Sequence, residues 1–386
     1  MSRLEDKLLK QLYQRKENNR FRKLPETSKG LIDFSSNDYL GFSRSEEVML
    51  QTKIICDRYQ INQEGSTGSR LLTGNNQIME DCERECARFH GGSRALLFNS
   101  GYLANLALIS AVAGRNDAVI FDELCHASLR DGIRLSGAAS FKFKHNNTAT
   151  LEKIIKKKKN RFTNIFVVTE SIFSMDGDAA PLKEISGICK NNATYLLIDE
   201  AHATGTVGEK GQGLCCQLEI EADCFARIFT FGKAMGSHGA AIVCGETLYQ
   251  YLLNFSRPFI YTTALPPKTA GSILAAYLKL DEGTHLEKLR CNIRHFTERV
   301  KDFKNRISSE YQIQSFLFPG DIAVGVAAEK LRMTGLDVSA IRSPTIEQGR
   351  ERLRVCLHAY NSFDEIEKLA NLLRTLPIPE LLSPLS

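Results

Sequence analysis

Between Arg94 and Cys244, short runs rich in β-branched and apolar residues alternate with stretches long enough for helices, and this alternation narrows the fold more than any other feature of the chain. The runs are Ala95 to Phe98, Ala118 to Phe121, Ile165 to Thr169, Tyr195 to Ile198, Ile228 to Phe231 and Ala240 to Cys244. Strands that alternate with helices predict an α/β fold, a doubly wound and mostly parallel sheet with helices on both faces. After the Pro266-Pro267 break a helix is expected from Lys268 to about Asn305, serving as a connector. The remainder reads as a smaller α+β unit, with strands at Gln312 to Phe318, Asp321 to Gly325 and Glu351 to Leu357, a helix near Ala328 and a closing helix from Asp364. Before the alternation, residues 4–23 are helix-permissive, and Leu4, Leu8, Leu9 and Leu12 are spaced for one apolar face. The expected division is therefore an N-terminal arm over 1–40, a large domain over 41–285 and a C-terminal α+β domain over 286–386.

A chain of 386 residues with 43% hydrophobic content buries a large core, and its formal charge of +5 is too small to argue for a nucleic-acid partner. The basic run Lys156 to Lys159 closes an apparent helix, where cations suit the dipole, so a solvated helix end is favoured over a polyanion site. The longest apolar stretches, such as Ala104 to Ala113, fall short of the ~20 residues that cross a bilayer. A charged N-terminus and eleven scattered cysteines without a CxxC pair fit a cytoplasmic chain with reduced thiols. Cys82 and Cys86 share a helical face but have no nearby His or Cys to complete a metal site, so packed thiols are expected and no metal.

The chemistry concentrates at strand ends. Thr194 to Ile198 is an apolar strand that delivers Asp199 and His202 at its C-terminal edge, where open α/β sheets bind ligands. After a later strand, Lys233 stands in the small-residue loop Thr230-Phe-Gly-Lys233-Ala-Met-Gly. Neither a P-loop nor a dinucleotide fingerprint is present, so nucleotide binding is disfavoured. Pyridoxal phosphate (PLP) requires an amine for a covalent link, a carboxylate for its ring nitrogen and donors for its phosphate. Lys233 and Asp199 supply the first two. Gly101 and Tyr102, at a helix start after Phe98-Asn-Ser, supply the third with the Thr230 hydroxyl. His126, in the segment Asp122-Glu-Leu-Cys-His126 that follows the Ala118 to Phe121 strand, is placed to stack on the ring.

Five motifs in order resemble the α-oxoamine synthases, a family of fold-type I PLP enzymes, over nearly the whole chain. They are Phe34-Ser-Ser-Asn37-Asp-Tyr-Leu-Gly41, Gly65-Ser-Thr-Gly-Ser-Arg70, Ser171-Ile-Phe-Ser174-Met-Asp-Gly177, Asp199-Glu-Ala-His202-Ala-Thr-Gly205 and Thr230-Phe-Gly-Lys233. The resemblance implies decarboxylative condensation of an amino acid with an acyl-CoA or acyl-carrier-protein thioester. It implies that Lys233 carries the cofactor and removes the α-proton, with Asp199 on the ring nitrogen and Ser174 and His202 around the phenolic oxygen. Asn37 and Arg354 are implied for the substrate carboxylate. Arg22 and Thr345 are implied near the acyl substrate, with Arg20 and Lys23 as alternatives to Arg22. A homodimer is implied too, with Thr262 or Thr263 reaching the partner's phosphate. Ile260 to Pro267 and Ala340 to Thr345 resemble the biotin-pathway branch, which implies L-alanine and a pimeloyl thioester, whereas sister branches use glycine or serine. Ser343 and Ala234-Met235 depart from common family residues at positions outside the expected chemistry.

Overall fold

The computed structural model describes residues 2–18, 20–24 and 30–377. Its contacts divide the chain into two compact units. One comprises Asn37–Ser174 and Ala179–Leu289; the other comprises the chain up to Ser36, Met175–Asp178 and the chain from Arg290.

The first unit is built on a seven-stranded sheet. Its strands are β1 (Arg94–Phe98), β2 (Ala118–Asp122), β3 (Ala139–Phe143), β4 (Ile165–Glu170), β5 (Tyr195–Asp199), β6 (Cys224–Thr230) and β7 (Ala240–Cys244). They lie in the order β1-β7-β6-β5-β4-β2-β3. All neighbours are parallel except β7, which runs antiparallel to both β1 and β6. The mostly parallel α/β architecture expected from the alternation is thus present. β2, β4 and β7 are buried along their whole length, as strands covered on both faces must be, and this is why they read as unbroken apolar runs. β3 escaped the sequence reading because it is an edge strand: Ala-Ser-Phe-Lys-Phe is half exposed, with Lys142 facing solvent.

One buried ion pair ties the helix Gln77–Phe89 into this unit. Arg70 donates from both terminal nitrogens to Glu83, at 2.7 and 3.0 Å, and the same carboxylate accepts the Leu97 N–H at 2.9 Å. Glu83→Ala strands a buried guanidinium and a strand N–H together, so it is expected to cost about 3–5 kcal/mol in unfolding free energy, measurable by urea denaturation.

The second unit holds a four-stranded antiparallel sheet in the order Ser339–Ile341, Arg352–Cys356, Ile313–Leu317, Arg306–Ile307. Ile32–Asp33 forms a separate parallel pair with Leu336–Asp337. The N-terminal helix runs Arg3–Glu17, shorter than the permissive stretch to 23, of which residue 19 lies outside the described residues. Its leucine face, Leu4, Leu8, Leu9 and Leu12, is exposed.

Two local expectations differ from the structure. The helix foreseen from Lys268 to Asn305 is two helices, Pro267–Asp281 and Thr284–Arg299, because Gly283 adopts φ +73° and ends the first. The strand foreseen at Asp321 to Gly325 is the start of the helix Asp321–Met333. Its Asp-Ile-Ala-Val-Gly looks alternating over five residues, but the longer spacing of buried Val324, Ala327 and Leu331 is helical. Among the described residues, no helix is long and apolar enough to cross a membrane.

Candidate active site

Parallel strands deliver the ends of β2, β4 and β5 to one edge of the sheet, and each ends in a carboxylate: Asp122, Glu170 and Asp199. The loop after β6 brings Lys233 to the same edge. Lys233 Nζ lies 2.8 Å from His202 Nε2, and His202 Nδ1 lies 2.8 Å from the Tyr39 hydroxyl. Tyr39 donates its one proton to Asn37 Oδ1 at 2.9 Å. It therefore accepts from His202 Nδ1–H, which leaves Nε2 to accept from the lysine. The imidazole is held at 4% exposure, so this chain of contacts fixes the amine's position from behind.

Asp199 is 5% exposed. Its Oδ1 accepts the Ala201 N–H at 2.8 Å and its Oδ2 accepts Asn105 Nδ2 at 2.7 Å. Asn105 Nδ2 also donates to Ser128 Oγ at 2.9 Å, and Ser128 Oγ lies 2.8 Å from His126 Nδ1. His126 Nδ1 accepts the Ser128 N–H that begins the helix Ala127–Ser136, so its proton sits on Nε2. Burial pushes the His126 pKa below its ordinary value and favours this neutral ring.

Gly101 opens the helix Gly101–Val112, and Ser100 caps it by accepting the Leu103 N–H. A Cβ at position 101 would come within 2.5 Å of Thr230 Cγ2, so glycine is what lets this helix start approach the end of β6. Tyr102 points away: it is 44% exposed and donates to Asp131. Thr263 pairs with Ser69, and its carbonyl accepts Asn99 Nδ2 at 2.8 Å. Ser174 is half-buried and closes its segment of this unit.

Arg22, Thr345 and Arg354 belong to the other unit. There Arg22 Nη2 reaches Thr345 Oγ1 at 3.5 Å, whereas Arg20 is committed to Asp321 at 2.9 Å. Arg354 is 5% exposed in the strand Arg352–Cys356, with Nη1 3.1 Å from Cys356 Sγ. Lys156, Lys157 and Lys158 fill the last turn of the helix Thr148–Lys158, where Lys156 pairs with Glu152 and Lys158 lies over the Phe141 ring.

Sequence reasoning passed over Glu170, Asn105, Ser128 and Tyr39. Two of them carried a signal: Asn105 is the one polar residue in the run Leu103 to Ile109, and Glu170 ends an apolar strand as Asp199 does. Glu170 is 3% exposed and accepts the His126 N–H at 2.6 Å. Burial, then the neighbouring Asp199 charge, pushes its pKa up to about 8. A carboxyl that is neutral when folded but titrates near 4.5 when unfolded adds stability at low pH that is lost as pH rises toward 8. Urea unfolding of the cofactor-free protein between pH 5 and 8 is expected to show a decline that Glu170→Gln removes. Identical pH slopes in the two proteins would contradict a neutral Glu170.

The sheet with a lysine amine, a buried carboxylate and a glycine-led helix start at its C-terminal edge defines a fold-type I PLP transferase. The chain belongs to the aminotransferase class I and II family, whose sequence model matches residues 29–373. It is 37% identical to an 8-amino-7-oxononanoate synthase from Emericella nidulans, over 96% of this chain and 95% of that one. Among solved structures, it resembles serine palmitoyltransferase from Sphingomonas wittichii, with TM-score 0.84 and 29% identity over 90% of this chain and 87% of that one. It also resembles 8-amino-7-oxononanoate synthase from Francisella tularensis, with TM-score 0.76 and 30% identity over 89% of this chain and 96% of that one. The donor set fits PLP: an amine at Lys233, an acceptor-only carboxylate at Asp199, and close approach at Gly101 that a side chain would block.

Proposed function

We propose that this PLP-dependent enzyme condenses L-alanine with a pimeloyl thioester, carried on coenzyme A or acyl carrier protein, to give 8-amino-7-oxononanoate. The observation that carries it is the Lys233 amine held against His202 on the sheet edge that also presents Asp199. Likeness over nearly the full chain to the Emericella nidulans protein supports the choice of substrates. PLP, when bound, supplies an electron sink for charge developing at the substrate Cα.

Asp199, its two oxygens fixed by Asn105 and Ala201, would hold a proton on the ring nitrogen of the cofactor. Arg354 offers a planar fork to the amino-acid carboxylate and so orients the Cα–H bond. Lys233 Nζ takes that proton, and His202 Nε2 keeps the amine aligned. The Cα then attacks the thioester carbonyl, the C–S bond breaks and the sulfur leaves with a proton from solvent, and the resulting β-keto acid loses carbon dioxide as the Lys233 ammonium returns a proton to Cα. Ser174 and His202 would supply hydrogen bonds at the phenolic oxygen of the cofactor, and His126 would meet its ring. Gly101 and Tyr102 would serve the phosphate through their backbone N–H groups, with the Thr230 hydroxyl; Asn37 would serve the amino acid, and Arg22 with Thr345 the acyl chain. The exposed leucine face of the Arg3–Glu17 helix supports a homodimer as the working form, with Thr263 serving the partner's phosphate.

A sister reaction with serine or glycine is favoured by one observation, the TM-score of 0.84 to the serine palmitoyltransferase. A single methyl or hydroxyl in an amino-acid pocket decides between such substrates by only about 1–3 kcal/mol. Assaying alanine, glycine and serine against pimeloyl, succinyl, acetyl and palmitoyl thioesters separates the two. Product from alanine and the pimeloyl thioester is expected; product from serine or glycine with another thioester, and none from that pair, would move the chain to the sister branch.

A further inference from the structure

We propose that Asn105 is a positioning residue for the cofactor, joining the carboxylate that meets the ring nitrogen to the histidine that meets the ring face. This inference rests on the site being a PLP site. Asn105 lies one turn into the helix Gly101–Val112 and is 2% exposed. Its amide nitrogen has two hydrogens, and the structure spends them on two other elements: Asp199 Oδ2 at the end of β5, at 2.7 Å, and Ser128 Oγ in the helix Ala127–Ser136, at 2.9 Å. Since Ser128 Oγ accepts from Asn105, its own proton is directed to His126 Nδ1, 2.8 Å away. The hydrogen bonds therefore run in one direction from the amide to the imidazole, while a second branch ends on the carboxylate.

The orientation of the amide shows what it serves. Asn105 Oδ1 is buried and meets no hydrogen-bond donor among the described residues. Turning the amide over would bring Oδ1 against Asp199, where two acceptors would repel each other. An ionised Asp199 thus dictates the orientation at the expense of an orphaned acceptor, which a packed core otherwise avoids. If the position were only a packing position, a leucine such as Leu103, Leu106 or Leu108 of the same helix would fill it without that penalty. The amide donor, with the Ala201 N–H on Oδ1, also fixes the direction in which the carboxylate faces. Glu170, His126 and Cys125 are other titratable groups that feel the Asp199 charge, and Lys233 acts on Glu170 and His126 in turn.

The test compares the holoprotein with Asn105→Leu, Asn105→Asp and Ser128→Ala. PLP is titrated into the cofactor-free form of each, and the visible absorbance of the bound cofactor is followed against pH. Asn105→Leu is expected to bind PLP at least about tenfold more weakly and to displace the pH midpoint of the visible band. Ser128→Ala is expected to displace that midpoint less, since it cuts only the branch to His126. Should Asn105→Leu fail to fold, the near-isosteric Asn105→Asp carries the test. It sets a second carboxylate at hydrogen-bond distance from Asp199, so its PLP affinity should fall with rising pH more steeply than the parent's. An Asn105→Leu protein with the parent's affinity and midpoint, or an Asn105→Asp protein with the parent's pH dependence, overturns the proposal alone. A parent protein that forms no visible band with PLP overturns the cofactor assignment and this proposal with it.

Discussion

Lys233→Ala is expected to lower kcat by on the order of 10⁴-fold or more, the upper end for losing one positioned proton acceptor, because the covalent anchor is lost with it. The geometry makes substitution from elsewhere hard. His202 Nε2 lies 2.8 Å from the amine, but its Nδ1 is tied to Tyr39, and Tyr39 to Asn37, so the imidazole is held from swinging into the vacated place. PLP should still be retained noncovalently through Asp199 and the helix start at Gly101. Steady-state kinetics together with cofactor content after gel filtration check both halves. Turnover within about tenfold of the parent would place the proton transfer on another residue.

Asp199→Asn should lower kcat by about 10²–10³-fold, the range found when one preorganised electrostatic partner is removed from an active site. The neutral amide presents a hydrogen-bond donor or a weak acceptor to the ring nitrogen and holds no proton there. It also confronts Asn105 Nδ2 with an amide in place of the carboxylate it is oriented toward. The visible band of the bound cofactor should shift along with kcat. A fall in kcat without any spectral change would mean that Asp199 acts on the substrate instead.

The strands and their edge were legible because burial on both faces writes itself as apolar runs, and β2, β4 and β7 are such strands. Lys233, Asp199 and His202 stood out for a related reason: a polar residue directly after an apolar strand marks the edge where the sheet opens. Tyr39 and Ser128 carried no such mark, since hydroxyl side chains are ordinary in loops and helix starts. Their part appears only when chain segments far apart in sequence meet, as Tyr39 does at His202. The break at Gly283 was hidden because apolar spacing resumes beyond it at Leu286 and Leu289, although a glycine at φ +73° ends the first helix there. The start of the Asp321–Met333 helix misled for the opposite reason, a five-residue window too short to tell period two from period 3.6.

The second unit is assembled from three separate lengths of chain, and its parallel pair joins Ile32–Asp33 to Leu336–Asp337. During synthesis from the N-terminus, the first of these lengths emerges long before its partners exist. The sheet-bearing unit, which begins at Asn37 and is complete by Leu289, has all its strands available earlier. Vectorial synthesis therefore lets that unit reach its native contacts on the ribosome, while the leading segment must wait for the last quarter of the chain. The waiting segment carries the leucines of the Arg3–Glu17 helix, so their apolar face is uncovered from the start of synthesis and is still uncovered in the folded chain.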